Sequence, residues 1–153
     1  MIRTWRLIKA EHADDAFTGE GARRGGGRWN SKGVRLVYTS GSLSLATLEV
    51  MLHTHFYNAL KYYVCIPIGF DPDLSQSISI GDLPDNWQAD PIPQSVKKAG
   101  DRWIKNKESV ILKVPSAIIP FEFNYLINPS HPDFGKIVIH SPQKLDFDSI
   151  LLP

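Results

Sequence analysis

Between Phe17 and Gly33 the chain places six glycines, Gly19, Gly21, Gly25, Gly26, Gly27 and Gly33, and all helical or strand periodicity stops there. Such a segment must be a loop whose backbone visits angles that other residues avoid. Any fold has to accommodate this irregular connection close to its start. Before it, Thr4–Ile8 alternates apolar and polar residues and predicts a first strand. After it, Arg35–Thr39 predicts a short strand, and Thr39-Ser40-Gly41-Ser42 supplies turn and N-cap chemistry. The next stretch, Leu43 to Phe56, predicts a helix, with Leu45, Leu48, Leu52 and Phe56 on one apolar face.

Tyr62–Pro67, rich in β-branched and aromatic residues, predicts another strand. Phe70 to Pro93 reads as loop, punctuated by Pro72, Pro84, Pro91 and Pro93. Ser95–Lys105 predicts a helix that Gly100 weakens. Val110–Val114, Asn124–Ile127 and Ile137–His140 predict later strands. Several strands with only two or three helices, out of strict alternation, imply an α+β fold. No repeat or linker divides the 153 residues, so 1–153 is expected to form one domain.

The formal charge of +1 gives no global pull toward nucleic acid or acidic lipid. Basic residues form no stripe interleaved with aromatics, which argues against nucleic-acid binding. No apolar run reaches the ~20 residues that span a bilayer. The opening Met1–Arg6 runs on into mixed charged sequence, unlike a secretory leader, so a cytoplasmic location is expected. Cys65 is the single cysteine and sits in an apolar run as a small hydrophobe. His53 and His55, two apart on a predicted helix, do not share a face, and no zinc pattern occurs, so no metal is expected.

Three places break local rules, and chemistry is expected there. The first is Arg23-Arg24-Gly25-Gly26-Gly27-Arg28-Trp29-Asn30-Ser31-Lys32-Gly33. Its glycines let backbone N–H groups approach a ligand, and Arg28 and Lys32 offer charge for a phosphate or carboxylate. Trp29 would pack and hold its neighbours. A solvated surface loop is the plain alternative. The second is Glu49, four residues after Leu45 and three before Leu52, on the apolar stripe. A carboxylate there is either functional, with its pKa raised by burial, or ion-paired with an arginine of the preceding loop. The third is Tyr38, which can offer a ring face and a hydroxyl to a planar ligand, or serve as an ordinary core aromatic.

Gly27-Arg28-Trp29-Asn30-Ser31-Lys32-Gly33, Val37-Tyr38-Thr39-Ser40 and Leu45-Ala46-Thr47-Leu48-Glu49-Val50 resemble the RES domain. So do Val114-Pro115-Ser116-Ala117, Asn124-Tyr125-Leu126-Ile127-Asn128-Pro129 and His131-Pro132, in the same order along the chain. The resemblance implies an ADP-ribosyltransferase-like split β core with a few flanking helices around an NAD cleft. It implies a toxin of a type II toxin–antitoxin system, paired with an Xre-type helix-turn-helix antitoxin in a complex holding a toxin homodimer. NAD would be the substrate, its nicotinamide–ribose bond cleaved with water or phosphate as acceptor. Carried over by motif, the catalytic set is Arg28, Tyr38, Glu49 and Ser116, with Ser130 a second candidate for the serine. Arg28, Trp29, Asn30, Lys32 and Tyr38 would bind the dinucleotide. Residues 70–101 match nothing in the resemblance. Mono-ADP-ribosyl transfer to a protein or tRNA, and a non-catalytic nucleotide-binding module, are the alternatives.

Overall fold

The computed structural model describes residues 1–54 and 57–145, the side chains of 57–59 excepted. In chain order the strands are β1 Ile2–Lys9, β2 Val37–Ser40, β3 Tyr63–Phe70, β4 Ser75–Ser77, β5 Ile111–Pro115, β6 Phe123–Ile127, β7 Val138–Ile139 and β8 Gln143–Lys144. The helices are α1 Glu20–Gly25, α2 Leu43–Thr54 and α3 Gln94–Asn106. The α+β reading holds.

One sheet runs β4-β5-β6-β2-β1-β3-β7, with β8 also on β3, and every pairing is antiparallel except β4 with β5. Its middle is nearly divided. β1 pairs with β3 along eight residues but meets β2 only at Trp5↔Ser40. Where they part, Arg6 on β1 sends Nη1 to the carbonyl of Tyr38 at 3.0 Å. Its Nε is buried without a partner among the described residues, and burial lowers its pKa to about 10. Arginine thus replaces the ladder bonds that the splayed strands cannot make.

Alternation along the strands separates two cores. Val37, Ile68, Phe70, Tyr125 and Ile127 belong to one cluster. Leu112, Val114 and Leu126 belong to the other, with Val96 and Trp103 of α3, Trp87 and Trp29. Trp29 connects the glycine-rich segment to α3 at close range. A Cβ on Gly100 would stand 1.7 Å from the carbonyl oxygen of Trp29, so only glycine permits this approach. Asp101 then binds Ser31 twice, accepting from its backbone N–H at 2.9 Å and its hydroxyl at 2.6 Å. The residue that weakens α3 by propensity is the one that lets it dock.

Several expected boundaries shift. The segment from Phe17 to Gly33 is not wholly loop, because α1 forms inside it, with Glu20 bonded to Arg23 and paired with Arg24 and Arg35. Gly19 at its start takes a φ of 78°. Of the predicted stripe on α2, Leu45 is buried, Leu48 is half-buried and Leu52 is 50% exposed. The buried pair is Leu45 and Ala46, so the helix turns a narrower face inward than the spacing predicts. His55 and Phe56 lie outside the described residues. Between Phe70 and Pro93, β4 and two short 3-10 turns interrupt the predicted loop. Among the described residues no helix is long and apolar enough to cross a membrane.

Gly100→Ala should cost about 3 kcal/mol of stability or prevent folding, because backbone rather than a flexible side chain would have to yield. Gly21→Ala, in α1 with nothing within 4 Å of the added methyl, should change stability by at most about 1 kcal/mol and in the favourable direction. Urea denaturation of both variants checks the contrast.

Candidate active site

The glycine-rich segment is a knotted turn rather than a solvated loop. Asn30 has no exposed surface. Its Nδ2 donates to the carbonyls of Ala22 at 2.8 Å and Val34 at 3.0 Å, and its Oδ1 accepts from the Tyr38 hydroxyl at 2.6 Å. The same hydroxyl accepts from the backbone N–H of Trp29 at 3.1 Å. Burial pushes the Tyr38 phenol well above its ordinary pKa, so it stays a neutral donor. A Cβ on Gly27 would come within 2.5 Å of that oxygen. The Tyr38 hydroxyl is therefore committed inside the protein, and only its ring is left for a ligand.

This knot presents Arg28. Its Nη1 donates to the carbonyls of Trp87 at 2.8 Å and Ala89 at 3.2 Å. Among the described residues its Nε and Nη2 make no hydrogen bond. Burial lowers the pKa of the guanidinium, while Asp90 nearby opposes the shift. The segment 84–91, which matches nothing in the resemblance, thus fixes the arginine. It is itself tied to the turn after β5, where Gln88 Nε2 donates to the Ala117 carbonyl at 2.9 Å.

Glu49 arrives from α2. Ser42 starts the helix, its hydroxyl accepting from the Leu45 N–H at 3.1 Å, and this brings the second turn back over the end of β2. There Glu49 Oε1 accepts from the Ser40 hydroxyl at 2.7 Å and from Asn124 Nδ2 at 2.9 Å, and Oε2 from the same amide nitrogen at 3.1 Å. The expected alternative of an ion pair with a loop arginine is not what forms: among the described residues Glu49 has no salt-bridge partner. Burial raises its pKa, the bonds from Ser40 and Asn124 oppose the rise, and Glu122 adds to it.

Arg28, Trp29, Tyr38, Glu49, Ala117, Ile118 and Asn124 line one recess of about 180 Å³. All three rule-breaking places therefore converge, Tyr38 on the strand between the other two. The recess lies below the roughly 300–1,000 Å³ of sites that enclose a whole small molecule, so it admits one end of a longer ligand. A larger cavity of about 690 Å³ lies beyond the ends of β1 and β3, lined by Lys9, Glu11, Lys61, Tyr62, Tyr63 and Lys144 among others. It holds none of the predicted residues, and size alone does not make a reactive site.

The remaining candidates lie elsewhere. Lys32 is exposed and does not line the recess. Ser116 is fully buried, its hydroxyl accepting from the N–H groups of Ile118 and Ile119, both at 3.2 Å. It shapes the turn that carries Ala117 and Ile118 to the recess. Ser130 is exposed, beyond the opposite end of β6 from Asn124. The sequence reading missed Asn124, Ser40 and the carbonyls of Trp87 and Ala89. Ser40 and Asn124 stand in runs that resemble the RES domain, but nothing local marked either as a partner of Glu49. Among the described residues no three His, Cys, Asp or Glu side chains cluster.

The RES domain family profile matches residues 3–148. "Toxin Res" of Yersinia enterocolitica serotype O:8 is 34% identical over 143 residues, which span 94% of this chain and 93% of that one. The "Prs ADP-ribosylating toxin" of Sphingobium sp. is 35% identical over 150 residues, 94% of this chain and 92% of that one. In fold, the chain resembles a chain of the MbcT–MbcA toxin–antitoxin complex of M. tuberculosis. The TM-score is 0.75 with 19% identity, covering 94% of this chain and 83% of the other.

A raised carboxylate pKa means that the folded protein holds its proton more tightly than the unfolded chain. Stability is then lost as pH rises from the ordinary carboxylate value through the raised one. Glu49→Gln removes that cost. Its Tm should equal or exceed that of the unmodified protein at pH 7.5, and the advantage should shrink toward pH 4. Calorimetry at both pH values checks the sign.

Proposed function

This chain belongs to the RES domain family, and we propose that it is the toxin of a toxin–antitoxin system that destroys NAD by breaking its nicotinamide–ribose bond. The observation that carries the reading is the shared recess of Arg28, Tyr38 and Glu49. A carboxylate that is half-buried, bonded only to neutral donors and in one recess with a fixed guanidinium suits a reaction that builds positive charge on a sugar attached to phosphates.

The nicotinamide end of NAD enters the recess with its ring against Tyr38. The free N–H groups of Arg28 take a phosphate oxygen of the part left on the rim. As the glycosidic bond lengthens, its electron pair passes to the pyridinium nitrogen. Nicotinamide leaves neutral, needing no proton. Positive charge grows on the ribose, and ionised Glu49 stabilises it. Water or phosphate then adds to the anomeric carbon, giving ADP-ribose and a proton, or ADP-ribose phosphate. Trp29 and Asn30 hold the arginine in place, Ser116 shapes the turn at the rim, and the exposed Lys32 assists at the pyrophosphate outside the recess. Residues 1–153 act as one domain, with no metal, in the cytoplasm. An Xre-type antitoxin is the partner, in a complex built on a toxin dimer.

A second reading uses the same recess. The Sphingobium relative bears the name of an ADP-ribosylating toxin, and transfer to a protein differs only in the nucleophile that meets the ribose. Labelled NAD separates the two. Label on free ADP-ribose or its phosphate supports depletion, and label on a macromolecule supports transfer.

Glu49→Gln should lower nicotinamide release by about 10²–10³-fold while leaving the fold intact. The unmodified enzyme should lose activity as pH falls through the raised pKa of Glu49, since only the carboxylate stabilises the cation. Undiminished NAD loss by the glutamine variant, or growth arrest on expression of the chain with NAD unchanged, would sink the proposal.

A further inference from the structure

We propose that Asn124, together with Ser40, is a positioning residue that fixes the orientation and the ionised form of the Glu49 carboxylate. The inference rests on the reading of Glu49 as the charge-stabilising group. Nothing in the motifs behind that reading assigns Asn124 a part in the reaction.

The backbone sets the two donors side by side. Ser40 ends β2, Asn124 is the second residue of β6, and the two are partners in register. Directly paired residues of an antiparallel ladder point to the same face. Both side chains are buried, 6% and 7% exposed, so each polar group needs a partner inside the protein. That partner is Glu49. The bonds from Asn124 Nδ2 to the two carboxylate oxygens, 2.9 and 3.1 Å, are shorter than its contacts of 3.3 Å with the Thr39 carbonyl and Ser40 Oγ. The amide is turned nitrogen-first to the carboxylate, as an acceptor-only group demands, since the flipped amide would set oxygen against oxygen.

The kind of donor matters as much as the number. A lysine or arginine at 124 would hold Glu49 more strongly, but its charge would cancel the field that a developing cation feels. An amide and a hydroxyl orient the carboxylate and favour its charged form without neutralising it. The other charged or titratable groups around Glu49 do not replace them. Arg28 and Tyr38 share its recess, and Tyr38 is neutral. Glu122, on the turn before β6, disfavours the charge. Arg6 of β1 is engaged with the Tyr38 carbonyl. His53, one turn further along α2, is exposed. Among the described residues, it is the hydrogen bonds from Ser40 and Asn124 that act against the burial driving Glu49 toward its neutral form.

The test titrates the side-chain carboxyl of Glu49 by carbon-13 NMR in glutamate-labelled protein, with Glu49→Gln identifying the signal. In Asn124→Ala and in Ser40→Ala the midpoint should rise by about one pH unit, the worth of one lost charge-assisted bond. Ser40→Thr, which keeps the hydroxyl, should titrate with the unmodified protein. The acid limb of kcat for nicotinamide release should move upward by the same amount while KM for NAD holds. An unmoved midpoint in folded Asn124→Ala overturns the proposal. If that variant does not fold, identical midpoints in the Ser40→Ala and Ser40→Thr proteins overturn it instead. The titration needs no turnover. A protein that never releases nicotinamide therefore defeats the activity reading, while the carboxyl midpoints still decide the clamp.

Discussion

A segment rich in glycine can hold an arginine in one place only if something freezes its backbone, and here the hydrogen bond between Tyr38 and Asn30 does so. Fixing a residue costs about 1–2 kcal/mol of backbone entropy, and glycine loses the most. The compensation is concentrated. Asn30 satisfies two carbonyls and the tyrosine hydroxyl from a position with no exposed surface. Trp29 fills the core beside Trp103 and Trp87. Asp101 secures Ser31 from α3, which reaches the segment only because residue 100 lacks a side chain. Arg28 sits between Trp29 and Gly27 in this frame, so its place is set by the packing of its neighbours and by the carbonyls of Trp87 and Ala89. Most of the residues around it serve the arginine rather than share its chemistry.

The near-division of the sheet explains where the recess lies. β1 and β2 touch at a single residue pair, yet β2 is fully laddered to β6. The end of β2 is thus stiff on one side and lightly held on the other. That is where the chain turns into α2, which packs against β1 and so straddles the gap. Glu49 comes from the second turn of the straddling helix, and Ser40 and Asn124 come from the stiff side. The turn after β5 and the 84–91 segment close the remaining edge through Gln88 and Ala117. Each wall comes from a different part of the chain.

Legibility in the sequence follows from this arrangement. The longer strands and both long helices were readable because local periodicity reports burial of one face, whereas the short β4 and β8 were not. The resemblance to the RES domain, whose family profile spans residues 3–148, was readable because Arg28, Tyr38 and Glu49 sit in local motifs. What escaped was non-local. Asn124 looks like any polar residue in a strand until the register sets it beside Ser40. The carbonyls of Trp87 and Ala89 have no side-chain signature at all. Gly100 reads as a helix defect until the Trp29 carbonyl appears against it. The tyrosine hydroxyl, readable as a ligand group, is used by the fold instead.

The reaction proposed for the recess then poses one question: how a carboxylate stays charged where burial disfavours charge. Water would do it, but water screens the field. A cation would do it, but it would neutralise the group. Neutral hydrogen-bond donors on rigid strands are the remaining solution, and their dipoles need no reorganisation when charge appears on a bound molecule. The cation in the site, Arg28, is held by two carbonyls instead of by Glu49, which keeps the two opposite charges available for two different parts of a ligand. A ligand that satisfies both must carry an anionic group and a centre able to become positive, separated by the span of the recess. That pairing of demands, more than the volume of the cleft, restricts what can react there.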